Sequence, residues 1–269
     1  MEKITSYTQL EKVLLSLKSQ NTLTNDFNLK SSYQQYIDDR RLHYVLENDN
    51  LFLLLDKGGF FQAYFHINND QVTHFPNDLE IAVEIPYRNY PNRPDNQIAY
   101  LRSVGFVDHI ERHLYTARFQ DCPELNGLGE RGMLKVIEDT IYADYVHGLI
   151  ADTFDRYTGD ILNRGEIIAR IKNGEVLAIF EDDKPVAFLE FYVKGKVAWI
   201  GHIAVDRNNR GQGYGTVLVK TYIKMLFERG ISRFHHWVMA DNKKALAMYS
   251  KMGFIYGNKS SFSMLKKEC

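Results

Sequence analysis

Between Val197 and Lys220 the chain changes character three times in quick succession, and few folds accommodate that order. Val197–Val205 is apolar on both alternating faces, as a central strand covered on both sides must be. Asp206–Arg210 is polar and follows neither the helical nor the strand period, so the chain surfaces there. Gly211, Gly213 and Gly215 then alternate with Gln212 and Tyr214. Glycine permits positive φ and close approach of the backbone to a ligand. The next segment has helical period, with Leu218, Tyr222, Met225 and Leu226 on one face and Lys220, Lys224 and Glu228 on another. Such a helix opens with N–H groups that lack intrahelical partners and with the positive end of its dipole. Strand, loop and helix together predict a phosphate cradle.

Spacing excludes two common phosphate loops. Gly215 is followed by Thr216 rather than lysine, so there is no Walker loop, and Thr216 also stands where a dinucleotide fingerprint needs its third glycine. The pattern present is Arg-x-x-Gly-x-Gly, from Arg210 to Gly215. Downstream lies a second informative stretch, Asn242-x-x-Ala245-x-x-x-Tyr249-x-Lys251-x-Gly253-Phe254. Asp241 or Asn242 suits a helix N-cap, Ala245, Tyr249 and Met252 share one face, and Gly253 suits the C-terminal stop.

The first pattern resembles the acetyl-CoA pyrophosphate loop of the GNAT acyltransferase superfamily, and the second resembles that family's Asn/Ala/Tyr/Gly-Phe signature. The order of elements from about Arg131 to Cys269 is similar to the family's as well. The resemblance implies a mixed α+β fold, with a mostly antiparallel central sheet flanked by helices. It implies an acetyl-CoA-dependent N-acyltransferase that moves an acetyl group directly to a primary amine of a small molecule or peptide, without a metal. Arg210, Gly211, Gln212, Gly213, Tyr214, Gly215 and Thr216 would wrap the pyrophosphate. Ile203, Ala204 and Val205 would pair with pantetheine, Asn242 and Ala245 would lie near its arm, and Tyr249 would be the general acid. A non-catalytic CoA-binding or interaction module on the same fold is the alternative. Tyr249 also has a plain reading as a core tyrosine, and Arg210 as a solvated loop arginine.

The general base is not fixed by the sequence. Some family members carry a glutamate four residues before the position of Ile203, where this chain has Trp199. Glu190 is the first substitute, because it shares a strand face with Val186, Phe188 and Tyr192. His202 and His236 are others, although a lone buried histidine is more often a hydrogen-bonded core residue.

With 269 residues, 45% hydrophobic and 25% charged, the chain has core material for one large or two small domains. A net charge of -1 argues against general binding to nucleic acid or anionic membrane. Cys122 and Cys269 supply neither a disulfide framework nor a metal-ligand spacing. Met1–Gln20 reads as an amphipathic helix rather than a signal peptide, and no apolar run approaches a membrane span. A cytoplasmic protein is expected, monomer or homodimer.

A boundary is expected in the glycine-rich stretch Arg118–Gly132, giving domains 1–125 and 126–269. Leu134–Tyr157 reads as largely helical, Pro86–Pro94 as a loop, and Phe254–Tyr256 and Ser261–Leu265 as two short strands. The first half is expected to be a smaller α+β domain. Its Leu101-Arg-Ser-Val-Gly105-Phe106 resembles Tyr249-Ser-Lys-Met-Gly253-Phe254, which suggests a degenerate tandem copy. Leu101 replaces the tyrosine, and only Asp70–Asp78 is available where a strand, loop and helix should stand, so the first half is expected to bind no CoA.

Overall fold

A computed structural model of the chain describes residues 1–18, 22–76, 78–122 and 133–267. They form two compact units: residues 1–111 with the chain end from Lys259, and residues 112–258. The expected boundary at 125/126 lies outside the described residues. By contacts the described residues divide at Glu111/Arg112, and the chain returns to the first unit from Lys259.

In chain order the elements are β1 (Glu2–Lys3), α1 (Tyr7–Leu15), β2 (Leu23–Thr24), α2 (Lys30–Asp38), β3 (Leu42–Glu47), β4 (Asn50–Asp56), β5 (Phe61–Ile67), β6 (Ile81–Tyr87), α3 (Asp95–Ser103) and β7 (Val107–Arg118). There follow β8 (Met133–Val136), α4 (Ala143–Thr153), α5 (Arg164–Lys172), β9 (Val176–Glu181), β10 (Lys184–Lys194), β11 (Val197–Val205), α6 (Tyr214–Glu228), β12 (Arg233–Met239), α7 (Lys243–Lys251) and β13 (Ile255–Lys266).

In the second unit the strand order is β7-β12-β11-β10-β9-β8, antiparallel throughout except for the parallel pair β11/β12. The apolar stripe of α6, with Leu218, Tyr222 and Leu226, packs with Tyr249 of α7 on Phe191, Ile200 and Phe234. On the other face, Val146 and Ile150 of α4 and Ile167 and Ile171 of α5 cover Ala178, Phe188 and Ala204. Both faces of the sheet are therefore covered, which is why Val197–Val205 lacks a polar side. Asn163 and Glu166 form a reciprocal capping box that starts α5.

The first unit repeats this plan. Its strand order is β1-β3-β4-β5-β6-β13, again antiparallel except for one parallel pair, β5/β6. Helices α1 and α2 cover one face through Leu10, Val13, Tyr33 and Ile37. On the other face Ile98 and Leu101 of α3 join Phe52, Phe65 and Val83, with Phe262 and Met264 from β13. Residues between β5 and β6 form no helix among those described, so α6 has no counterpart. The tandem copy expected from the Gly-Phe pairs is thus present in topology.

Both parallel pairs are short and then diverge. In the first unit β5 and β6 pair only from Phe61↔Ile81 to Ala63↔Val83. The chain fills the gap with its own backbone. β2 adds to β5 through Leu23↔Ile67 and Thr24↔His66. The buried Asn25 then spans the divergence: its Nδ2 donates to the carbonyls of Ala63 (3.1 Å) and Glu84 (2.8 Å), and its Oδ1 accepts from Phe65 N (2.6 Å).

Several elements differ from the sequence reading. Met133–Val136 is an edge strand on β9, and α4 starts only at Ala143 after a 3-10 turn. β6 runs through Pro86, which sits opposite Ser261 beyond the end of the β5 pairing, where a missing N–H deprives no neighbour. The two expected terminal strands are one, β13, because Gly257 is in the strand: a Cβ there would meet Thr116 Cγ2 at 2.8 Å.

Asn25→Ala should remove three hydrogen bonds and leave buried main-chain groups unsatisfied, costing the first unit about 1–3 kcal/mol or more. Urea unfolding followed by a first-unit probe should show this loss, whereas the exposed-site control Asn92→Ala should show none.

Candidate active site

The second unit has the same divergence without the filling. β11 and β12 pair from Val197↔Arg233 to Ile200↔His236, yet β11 continues to Val205 and β12 to Met239. On their other sides both strands stay paired, β11 with β10 as far as Val205 and β12 with β7 as far as Met239. The result is a notch in the sheet, edged by the main chain of Gly201–Val205. Buried N–H and C=O groups need partners, so such an edge is a binding surface for an extended, polar ligand.

A bulge sets where the notch opens. In the β10/β11 ladder Glu190 faces His202 but Phe191 faces Ile200, so Gly201 is the extra residue. A Cβ on Gly201 would fall on the Glu190 carboxylate, which fills the space beside the bulge. Glu190 is 1% exposed. Its Oε2 lies 3.0 Å from His202 Nδ1 and its Oε1 forms an ion pair with Arg170 Nε at 3.0 Å, reaching down from α5. His202 Nε2 lies 2.7 Å from the Gly159 carbonyl, and its ring meets Phe154 edge-on. Glu190 and His202 are brought together, then, in a buried cluster with Arg170 in which Glu190 Oε1 has the ion pair but no hydrogen bond.

His236 stands at the apex of the notch. Its Nδ1 donates to the Ile200 carbonyl, 3.2 Å away, at the last paired position. Burial in an apolar setting pushes its pKa down to about 4, with the Ile200 bond opposing and His202 adding to the depression. His236 is therefore neutral at pH 7, with Nε2 as its acceptor. Its ring centroid is 4.8 Å from that of Tyr249, presented by α7. Tyr249 is fully buried, and its hydroxyl has no hydrogen-bond partner among the described residues. Burial raises its pKa, so the phenol keeps its proton at neutral pH. Tyr222, on α6, also lacks a hydroxyl partner; its ring is wedged between Phe191 and Phe234.

At the outer end of β11 the glycine loop takes the expected form. Gly211 and Gly213 have φ of +84° and +85°, with open space where a Cβ would project. Gly213 is the N-cap of α6 and offers no capping side chain, so the first N–H groups of the helix face outward unpaired. Arg210 donates from Nε to the Val205 carbonyl at 3.1 Å, tying the loop to the strand end. Gln212 and Tyr214 do not point out of the cradle: the buried Tyr214 hydroxyl donates to Glu181 and is 3.1 Å from Gln212 Oε1. Thr216 opens the first turn of α6. Asn242 caps α7, accepting from Ala245 N at 3.1 Å.

Sequence reasoning missed Glu181, Arg170 and Gly201. Glu181, at the end of β9, holds Asn209 through Oε2 (2.8 Å) and Tyr214 through Oε1, so it pins the loop at both ends. Only the polar turn Glu181–Lys184 marked the place. Arg170 is drawn in by the register of α5 over β10, which no local pattern reports. Gly201, an isolated glycine within an apolar strand, was a readable bulge signal. No group of three or more His, Cys, Asp or Glu could hold a metal ion, and no helix is long and apolar enough to cross a membrane, among the described residues.

Comparison with known proteins agrees with this geometry. Residues 135–254 match the acetyltransferase (GNAT) family. A stretch of 61 residues is 39% identical to an uncharacterized N-acetyltransferase of Methanocaldococcus jannaschii, covering 23% of this chain and 27% of that protein. The chain therefore aligns with only about a quarter of that relative's length. Among solved structures, a GCN5-related N-acetyltransferase from Sphaerobacter thermophilus superposes with a TM-score of 0.60 at 13% identity, covering 80% of this chain and 76% of the other. A tandem GNAT protein from the clavulanic acid biosynthesis pathway gives 0.54 at 12% identity, over 82% and 79%. At such identities the likeness is one of fold. The match to the GNAT acetyltransferase family is thus one of residues 135–254, under half of the chain.

The depressed pKa of His236 has a consequence for stability. Below its ordinary value of 6.5 the unfolded chain takes up a proton that the folded chain refuses until about pH 4. The stabilisation is thus complete above pH 6.5 and is lost as pH falls toward 4, by about 3 kcal/mol at most. Urea unfolding at pH 7 and pH 4 should show a smaller acid loss in His236→Gln than in the wild type.

Proposed function

We propose that the second unit is an acetyl-CoA-dependent N-acyltransferase that acylates a primary amine of a small molecule or peptide. The observation that carries this reading is the open notch at Gly201–Val205 beside the unpartnered phenol of Tyr249. The first unit supplies an internal comparison: there the corresponding divergence is bridged by extended peptide and by the amide of Asn25. An extended ligand rich in amides, such as a pantetheine arm, meets the same requirement in the second unit. The residues fit the rest of CoA too. Gly211 and Gly213 leave their outer sides clear, and the N-terminal N–H groups of α6 suit a pyrophosphate.

Acetyl-CoA, when bound, supplies an acyl carbon activated as a thioester. The chain supplies the rest. Main-chain N–H groups of Ile203–Val205 hold the arm in register and offer a donor to the acyl oxygen. Arg210 and the residues Gly211–Thr216 hold the diphosphate, Asn242 and Ala245 start the helix that presents Tyr249, and Tyr249 donates a proton to the departing sulfur. Glu190 and His202, held by Arg170 and the Gly159 carbonyl, act by fixing the bulge rather than by taking a proton, so the amine reaches the notch uncharged or gives its proton to water. That engagement is also what favours the second reading, a CoA-binding module without turnover. Thiol release from acetyl-CoA across a panel of amines separates the two.

Gly213→Val should abolish acetyl-CoA binding in calorimetry while the unit stays folded, because a branched side chain disfavours positive φ and blocks approach to the loop. Tyr249→Phe should leave acetyl-CoA affinity nearly unchanged but lower single-turnover acylation roughly 10²–10⁴-fold. Normal affinity in the first variant, or an unchanged chemical rate in the second, would refute the role assigned to that residue.

A further inference from the structure

On the sheet face opposite α6 and α7, four side chains form a row across four strands. Tyr192 of β10 is partnered with Trp199 of β11, Trp199 with His235 of β12, and His235 with Thr116 of β7. All four are partly exposed. The Tyr192 and Trp199 rings are parallel to within 3°, with centroids 6.2 Å apart, and Trp199 and His235 meet edge to face at 4.7 Å. This row adjoins the pair Ile200↔His236, where the notch opens. A tiled aromatic surface thus leads to the mouth of the notch from the face that Tyr249 does not occupy.

We propose that this row is the acceptor shelf, and that the acceptor it takes is a primary amine carried on a flat aromatic body. The inference rests on the acyl-transfer reading of the notch. Partly wetted rings beside a polar opening gain most from a flat apolar partner, and offset stacking suits parallel rings. A cationic acceptor fits less well, because the chain's own cations already use the flanking rings. The Arg170 guanidinium lies 5.0 Å from the Tyr192 ring, and Arg112 lies 5.9 Å from that of Trp237, two residues beyond His235 on the same face. The reacting nitrogen is uncharged when it attacks, so it needs no carboxylate on the shelf.

Two measurements test this. With Trp237 replaced by phenylalanine, Trp199 is the sole tryptophan and its fluorescence reports binding without turnover. Phenethylamine should perturb it saturably, with a dissociation constant at least fivefold below those of cyclohexylethylamine and agmatine. In acylation assays Trp199→Ala should raise KM for phenethylamine at least tenfold and leave KM for acetyl-CoA unchanged, and Trp199→Phe should restore most of the loss. Equal affinity for phenethylamine and cyclohexylethylamine, or a Trp199→Ala variant that loses acetyl-CoA affinity instead, would overturn the shelf. Should Trp199→Ala fail to fold, the wild-type preference among the three amines decides alone. Aromatic preference in binding with no thiol release from any amine would retain the shelf and sink acyl transfer. Thiol release with aliphatic amines equal to aromatic ones would do the reverse.

Discussion

A parallel strand pair that diverges leaves main-chain donors and acceptors facing each other across a gap in the middle of a sheet, and such groups cannot stay buried unpaired. The protein meets this constraint twice. In the first unit the gap is closed from within, by β2 and the side chain of Asn25. In the second the gap stays open, and its surroundings hold it so. The bulge at Gly201 turns β11 aside, the buried Glu190 carboxylate supports the bulge, and His236 satisfies the last carbonyl before the opening. The glycine loop and the Tyr249 phenol are placed by the two strands that diverge. One unit has made its gap a piece of structure; the other leaves it open.

The parts of this arrangement that were legible beforehand are those where backbone geometry dictates residue type. Gly211 and Gly213 occupy positive φ, and the strand Val197–Val205 had to be apolar on both faces because helices cover both. The Asn242 cap and Gly253 stop framed α7 correctly. What escaped was decided by residues distant in sequence. Met133–Val136 is too short to show a period, and pairing with β9 alone makes it a strand. Gly257 looks like a turn but answers to the nearness of Thr116. Glu190 was noticed as an odd carboxylate on an apolar face, yet the partners that explain it, Arg170 and the carbonyl next to His202, come from the α4–α5 region.

The two units show how a repeated fold parts with a function. Leu101 stands on α3 where Tyr249 stands on α7, and it is wholly buried among Phe52, Phe65 and Met264. The missing counterpart of α6 removes the helix terminus that would face a diphosphate, and β2 takes the place along β5 that a ligand would need. Each change alone would have disabled such a site. Together they turn a ligand-dependent opening into a self-contained one, while strand order and the covering of both sheet faces survive.

The return of the chain to the first unit from Lys259 bears on how the chain is made. Domains generally fold as they leave the ribosome, the N-terminal one first. Here the first unit is cored by Phe52 and Phe65 together with Phe262 and Met264, which are synthesised after residues 112–258. The second unit comprises residues 112–258. The second unit has therefore been synthesised while the first still lacks the part of its closing strand from Lys259 onward. Until Phe262 and Met264 have been made, the nascent first unit presents the open β6 edge and an unfilled apolar face, the condition in which chains find chaperones or one another.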